Sequence, residues 1–453
     1  MFKKFITLTA VLAATGAMWV LAKDQDKTID IFNYTFSPLK MEVISETGNL
    51  VFSDSPEYVG KQDGIVSAST VQGDSRIYFY HVNEAKQNRK IVIVFENKSV
   101  KDNYITVKRK IVAKPTAEYF EVGRELSAKE LTVPVAGNEV IVMSPGARLQ
   151  VFNELEKITV KTDQLFSGIM DFHSTEPVFV RVMMIDENAP AIGRSYTAPA
   201  LPMDEVRLRG TYVGANRLIN IVDAYDPKRG SAVIELANDR EDPYIKGFDE
   251  LTNNEEVKNY GNYGVAYTIL LNTLGEQKYD VYFNPLGGAY AGAIQLTNNA
   301  QSKLIEIPKR SQPYIGHGTI TDTQFLQTYQ AGTPLQINFM PAGASNLPVR
   351  LLLIPHIEEA TDDLKTQVAQ KAENIKTNVK KKVKKTKNHL DEVVEVAKQF
   401  KNDKKAKEIQ SVKEAPKSND GPLATEASAA LATNDAFAHI EAQYKATHGG
   451  NPS

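Results

Sequence analysis

The residue types that could do chemistry are sparse in this chain and poorly spaced for it. Seven histidines, His81, His173, His317, His356, His389, His439 and His448, form no His-x-His, His-x-x-His or His-Glu-x-x-His pair, so no local metal motif exists. His81 and His173 fall in strand-like segments and could meet in space, but ordinary polar positions at strand ends are the simpler account. There is no Gly-x-Ser-x-Gly elbow and no phosphate-cradling Gly-Lys-Ser/Thr loop. The absence of cysteine excludes disulfides, thiolate zinc sites and cysteine nucleophiles.

Three clusters remain. Asp239, Glu241 and Asp242, with Asp249 and Glu250 nearby, offer hard oxygen ligands of the kind calcium takes, six to eight at a time. Their spacing matches no regular calcium loop, which favours a solvated acidic loop; a structural calcium is the one cofactor the chain admits. Asn284–Gly292 pairs Gly287 with Gly288, and such glycines let a backbone come close to a ligand or make a tight turn. Together with Asn259–Gly264 it could present Tyr260, Asn262, Tyr263, Asn284 and Tyr290 as an amide-bearing aromatic surface for sugars or peptides; buried aromatic packing is the competing account. Finally, Lys380, Lys381, Lys382, Lys384, Lys385 and Lys387 concentrate positive charge near the C-terminus.

That charge is segregated. Residues 363–407 hold 14 lysines against six acidic side chains, a net of +8, so the remainder carries -10 to give the overall -2. A basic segment on an acidic body suits an anionic polymer or membrane surface. The same stretch, 358–410, lacks Gly and Pro. Leu364, Val368, Ala372, Ile375, Val379, Val383, Leu390, Val394 and Ala397 recur on an 11-residue period, which predicts a long amphipathic helix or stalk. Helix-mediated self-association is a second use of that stripe. Residues 411–453 are rich in Ala, Ser, Asn and Gly and predict a disordered tail.

At the other end, Met1–Lys4 and the apolar run Phe5–Leu21 predict a signal peptide over 1–22, cleaved after Ala22, with an uncleaved anchor as the alternative. Between these ends lie short apolar runs with turn punctuation. Residues 76–82 and 90–95 read as one hairpin, and 265–271 and 278–283 as another. Residues 104–112 alternate apolar and basic side chains, so one face should be wet, and a helix is expected near 116–126. Pro190, Pro199 and Pro202 mark a linker over 186–203.

One β unit is used twice. Gly146–Val151 followed by Pro177–Ile185 parallels Gly332–Ile337 followed by Pro348–Ile354, each time a glycine turn, a strand, then a proline-led strand carrying one arginine. On this reading Leu149 and Leu335 occupy equivalent places.

The stretches Arg209–Thr211, Glu235–Asn238, Asp242–Gly247, Asn259–Val265 and Asn284–Gly292, with Gly73–Arg76 and Tyr80–Asn83, resemble uncharacterised secreted proteins of Gram-positive and related bacteria. Some of those are joined to a module named after the copper amine oxidase N-terminal domain. The resemblance covers about residues 28–355 and implies an extracellular or wall-associated β protein, with no catalytic residues to carry over. Asn259–Gly261 lacks the flanks of an amine-oxidase cofactor motif, so amine oxidation is not expected.

The sequence therefore predicts a mainly β protein: two tandem antiparallel β-sandwich domains, 28–185 and 204–355, then a long C-terminal α-helix and a disordered tail. The expected function is a non-catalytic exported cell-envelope or surface protein whose basic stalk meets an anionic component, with no role in nucleic-acid binding. A carbohydrate- or peptide-binding module is the alternative, and a glycoside hydrolase-type enzyme a weaker one.

Overall fold

The structure, a computed structural model, describes residues 27–309 and 311–357. Its strands in the first half are β1 (Ser37–Pro38), β2 (Met41–Ser53), β3 (Tyr58–Val59), β4 (Gly64–Asn83), β5 (Arg89–Glu96) and β6 (Asn103–Val112). Helix α1 (Tyr119–Thr132) follows, then β7 (Glu139–Met143), β8 (Arg148–Gln150) and β9 (Leu165–Asp186). After α2 (Ala191–Thr197) come β10 (Arg209–Ile221), β11 (Ala232–Leu236), β12 (Lys246–Asp249), β13 (Glu255–Lys258) and β14 (Ala266–Leu271). The last are β15 (Lys278–Asn284), β16 (Gly292–Asn298), β17 (Gln301–Ile307), β18 (Gln324–Gln330), β19 (Leu335–Phe339) and β20 (Val349–Pro355).

The first half is built on β4 and β9, which pair antiparallel along nearly their whole length. Their register shifts between Val71 and Gly73, where Gly73 takes a φ of 79° that side-chain-bearing residues avoid. Each long strand thereby contributes one arm to each layer of a sandwich. The arms 64–71 and 178–184 are extended by β5 and β8, and the arms 73–82 and 165–174 by β6 and β7. Val51, Ile77, Phe79, Ile93, Phe95, Phe166 and Phe172 fill the space between. Phe95 meets Phe172 across it, with ring centroids 4.9 Å apart.

The second half repeats this scheme with separate strands. β2 lies parallel to β4, and β10 parallel to β14. Antiparallel to the arms of β9 lie β4, β5 and β6; in the same relation to β19 and β20 lie β14, β11, β15 and β16. The edges correspond as well, β7 and β8 with β17 and β18. Following the ladders, Asn49–Ser75–Phe172–Val107 becomes Arg217–Tyr267–Phe339–Ile294. The signature read from sequence is therefore half right. Pro177–Ile185 does match Pro348–Ile354, but Leu149 lies 37% exposed on the edge strand β8, whereas Leu335 is buried on the central strand β19.

Two separate antiparallel sandwiches with a long helix are not what the described residues show. β2 and β10 pair antiparallel from Met41↔Ile221 to Ser53↔Arg209, which fuses both halves into one 15-stranded sheet beside a 5-stranded one, with several parallel pairs. All described residues fall in one compact unit. The α-helices among them are the short α1 and α2; the expected signal peptide 1–22, helix 358–410 and tail 411–453 lie outside the described residues. No helix among the described residues is long and apolar enough to cross a membrane.

Neither expected hairpin forms. β4 and β5 flank β9, while β14 and β15 belong to different sheets. The runs in β5 and β15 are apolar on both faces, which marks central strands rather than half-wet hairpin arms. The expected linker is ordered, with α2 and its flanks packed on Val92, Val94, Met183 and Ile185.

Each half also locks onto the other. Helix α1, an insertion between β6 and β7, reaches the second half, where Arg124 Nη2 donates to the Gln312 carbonyl at 3.0 Å and Leu131 accepts from Gln295 at 3.3 Å. The insertion between β11 and β14 answers it: the Glu250 carboxylate accepts from the Thr70 amide at 2.7 Å. Leu50, Phe52, Tyr78, Tyr80 and Ile169 consequently share a core with residues of the second half. Burial of each such side chain contributes about 1.5–3 kcal/mol. Residues 28–185 produced alone are therefore expected to lack a cooperative thermal transition; a sharp melt with dispersed amide resonances would show that the halves fold independently.

Candidate functional site

The repeat supplies an internal control, because equivalent positions do the same folding job twice. Where one copy places a charge and its twin an apolar group, the fold does not require the charge. The strongest such departure is the segment after β2.

Beyond Ser53 the chain runs through Asp54, Ser55 and Glu57 into β3. The Asp54 amide donates to the Leu208 carbonyl at 3.0 Å, and Val82 donates to the Glu57 carbonyl at 2.8 Å. In the second half Val222 donates to Lys40 at 2.9 Å, and Leu274 to Tyr225 at 2.8 Å. Asp54 thus corresponds to Val222, Glu57 to Tyr225, and Asp204 by the same offset to Phe36. Three carboxylates stand where the twin has three apolar or aromatic side chains. Asp204 comes from the connection between the halves: its carboxylate accepts from the Glu57 amide at 2.7 Å, and its own amide donates to Ser55 Oγ at 2.8 Å.

Burial pushes the Glu57 carboxyl up to about 7, with Asp204 adding to the shift. Burial, then Glu57 and Asp204, hold Asp54 well above the usual carboxylate range. Burial also raises Asp204, whose side chain lies at the exposed rim. Asp54 Oδ1 has no hydrogen-bond partner. Tyr58 and Tyr119 stand beside the cluster. Near neutral pH it can hold and exchange protons.

Beneath it lies a pair with the form of a nucleophile and its base. His81 Nδ1 donates to the Pro56 carbonyl at 2.8 Å, so Nε2 is left to accept from Ser53 Oγ at 2.7 Å. Both residues are 0% exposed, and burial lowers the His81 pKa to about 4. No substrate reaches Ser53; the pair is a satisfied core contact. His81 and His173 do not meet, since His81 pairs with Phe166 while His173 bonds Asp74 at 2.7 Å.

A second departure lies on the face of β4 that carries Tyr78 and Tyr80, away from His81. Arg76, Asp171 and Arg109 form a cross-strand ladder where the second half has Thr268, Asn338 and Gln295. Arg76 Nε and Arg109 Nε each donate to Asp171 at 2.8 Å, and both guanidinium groups reach Glu130 of α1. Arg76 also donates to the Gly264 carbonyl at 3.1 Å. The alternation of β6 does leave one face wet, with Tyr104 exposed and Thr106, Lys108 and Lys110 half-buried, while Arg109 lies on the buried face and is paired.

The residues singled out in sequence take other roles. Asn262, Asn284 and Tyr290 are buried, so they form no open surface. Asn262 donates to Pro243 at 3.1 Å and to Tyr267 Oη at 2.7 Å, while Asn284 donates to Ile320 and Asp322 at 2.8 Å. Tyr263 is half-buried with its hydroxyl on the Ser345 carbonyl at 2.6 Å, and Tyr260 alone is exposed, at 50%. Gly287 has a φ of 88°, and a Cβ on Gly288 would come within 2.6 Å of Asn346, so both serve close packing. Asp242 is fully buried and accepts from Arg217, from Tyr267 Oη at 2.9 Å and from the Ala237 amide at 2.6 Å. Asp239 pairs with Lys258, and Glu241 accepts from Asn238 at 2.6 Å. Among the described residues no group of three or more His, Asp or Glu is arranged to hold a metal. The lysines 380–387 lie outside the described residues.

A recess of about 650 Å³ is lined by Lys61, Asp63, Asp186 and Arg194 among others. Arg89 and Arg194 both grip Asp63, so its two carboxylates are not poised as an acid and a base.

No family model and no curated protein matches the chain. Among solved structures, the CUB1-EGF-CUB2 domains of rat MASP-1 align over 66% of this chain and 99% of that one, at 9% identity and a TM-score of 0.18. The secreted serine protease VesC from Vibrio cholerae aligns over 72% and 52%, at 10% identity and a TM-score of 0.15. Similarity at this level establishes neither a shared fold nor a shared activity.

Proposed function

We propose that this is a non-catalytic exported protein of the cell envelope, in which the interlocked β body acts as a rigid head and the lysine-rich segment engages an anionic envelope component. Segregation of charge carries this reading: residues 363–407 hold a net +8 against -10 elsewhere. Within 380–387 six of eight residues are lysine. The resemblance to secreted β proteins supports the exported location. The body supports a scaffold role, since its reactive pair is sealed in the core and its ionic groups join strands and insertions.

Attraction of this kind is worth about 1 kcal/mol per lysine near an anionic surface. It is screened, because the Debye length falls from about 10 Å at 0.1 M salt to about 3 Å at 1 M. The full chain is therefore expected to co-sediment with anionic phospholipid vesicles or a polyanionic wall polymer at low salt and to release at high salt. The triple variant Lys381→Glu, Lys384→Glu, Lys385→Glu should lose that binding with its thermal transition unchanged. Equal binding by the variant, or binding indifferent to salt, would overturn the reading.

A further inference from the structure

Comparing the two copies of the repeat also exposes a difference at their sheet edges. β7 pairs with β6 alone among the described residues, so the other side of its backbone is an open edge. Its twin β17 likewise pairs only with β16. Open edges template pairing with another chain, and proteins blunt them with charges or proline. The ladders fix which residues correspond. Val107 lies between Phe172 and Glu139, and Ile294 between Phe339 and Ile305. Glu139 thus corresponds to Ile305, Val140 to Glu306 and Val142 to Pro308. The second repeat places a carboxylate and a proline where the first presents two valines.

Those valines are exposed on the open face. Val140 is 55% exposed and Val142 51%, beside Tyr104 at 47%, which sits directly opposite Val142, and Val135 at 53%. Beyond Glu139 at its start, β7 lacks the charge and the proline that protect a free strand. We propose that β7 is a self-association surface, at which a second copy of this chain adds its own β7 antiparallel and continues the sheet across a two-fold axis.

Self-complementarity selects the second copy as the occupant. Antiparallel pairing centred on Ile141 sets Val140 of each copy opposite Val142 of the other, on the same face as Tyr104. It also sets Glu139 opposite Met143 of the other copy rather than opposite its own equivalent, so like charges stay apart. Such an isologous contact closes on itself and gives a dimer, not a filament. The strand has five residues, so the contact is small and should dissociate on dilution.

The full chain is expected to sediment as a dimer that dissociates as concentration falls. The double variant Val140→Lys, Val142→Lys should remain monomeric throughout and melt as the wild type does at concentrations where it is monomeric. Register is tested separately, because the chain has no cysteine of its own. Directly opposed residues have Cα atoms about 4.5–5.5 Å apart, within the range a disulfide spans. The variant Val140→Cys, Val142→Cys should therefore oxidise to a covalent dimer, whereas Val140→Cys with Ser302→Cys should not. A wild-type chain that stays monomeric overturns the proposal and leaves the edge for a strand of a different protein. A lysine variant that still dimerises also overturns it, by locating the contact elsewhere.

Discussion

Replacing Asp171 with alanine is expected to destabilise the fold by about 3–5 kcal/mol, the usual cost of removing one partner from a buried ionic group. Asp171 bridges Arg76 and Arg109, both under 6% exposed, and its loss leaves two guanidinium groups against the single carboxylate of Glu130. The second repeat shows what the site tolerates instead. Its Thr268–Asn338–Gln295 ladder is uncharged, with Asn338 donating to Gln295 at 2.9 Å and Gln295 donating in turn to α1. A chain carrying Arg76→Thr, Asp171→Asn, Arg109→Gln and Glu130→Gln together should lose much less stability than Asp171→Ala alone, because no charge is stranded. Urea unfolding midpoints at constant slope measure both. If Asp171→Ala costs under about 1 kcal/mol, the ladder is not the clamp between α1 and the sheet that its geometry describes.

The acid cluster should give the chain an unusual response to pH. Glu57 is raised from 4.5 to about 7 in the folded state, so the folded chain binds more protons than the unfolded one between those values. Stability from this group is then full below about 4.5 and falls as pH rises to 7. The shift corresponds to about 3 kcal/mol at most, and to about 1–2 kcal/mol once solvent screening of a half-buried group is allowed for. His81 acts with the opposite sign. Its pKa drops from 6.5 to about 4, so the folded state loses stability as pH falls through that window. The Glu57 and His81 trends offset each other between about 4.5 and 6.5. Above that range the Glu57 loss continues to 7, and the raised carboxyls of Asp54 and Asp204 act in the same direction as Glu57.

Subtracting one pH profile from another isolates each group. The stability of Glu57→Gln minus that of the wild type should climb from pH 4.5 to 7 and then level off, since the neutral amide carries no buried charge. Asp204 and Arg209 face the cluster in both proteins and cancel in the difference, whereas Asp54 sheds the part of its upward shift that Glu57 causes and so adds to the same climb. A flat difference curve would mean that Glu57 is solvated in solution. Tyr225 at the equivalent place shows that the fold itself has no need of the carboxylate.

Local pattern determined a good deal on its own. Strands at 76–82, 90–95, 104–112, 139–143, 265–271 and 278–283 all appear, because alternation and β-branched runs act over a few residues. The helix expected near 116–126 forms as Tyr119–Thr132. The existence of a repeat was legible too, since Pro177, at the start of the second arm of β9, and Pro348, just before β20, stand on the same scheme.

Partnership was not legible, because pairing depends on contacts made far along the chain. Nothing in 76–95 says that β9, 22 residues long, inserts between the two strands of an apparent hairpin. Nothing in β2 says that it pairs with β10 and merges two expected domains. The same limit explains the site residues. Arg109 stands among apolar residues on the buried face of β6, and nothing local to it announces its neutralising partners, Asp171 and Glu130, which arrive from β9 and α1. Asn262 and Tyr290 looked available because the loops that cover them come from other strands. Asp54, Glu57 and Asp204 are three of 55 acidic residues and belong to no local motif. A carboxylate becomes distinctive only when folding removes water and sets another beside it, which here happens across 147 residues of sequence between Glu57 and Asp204.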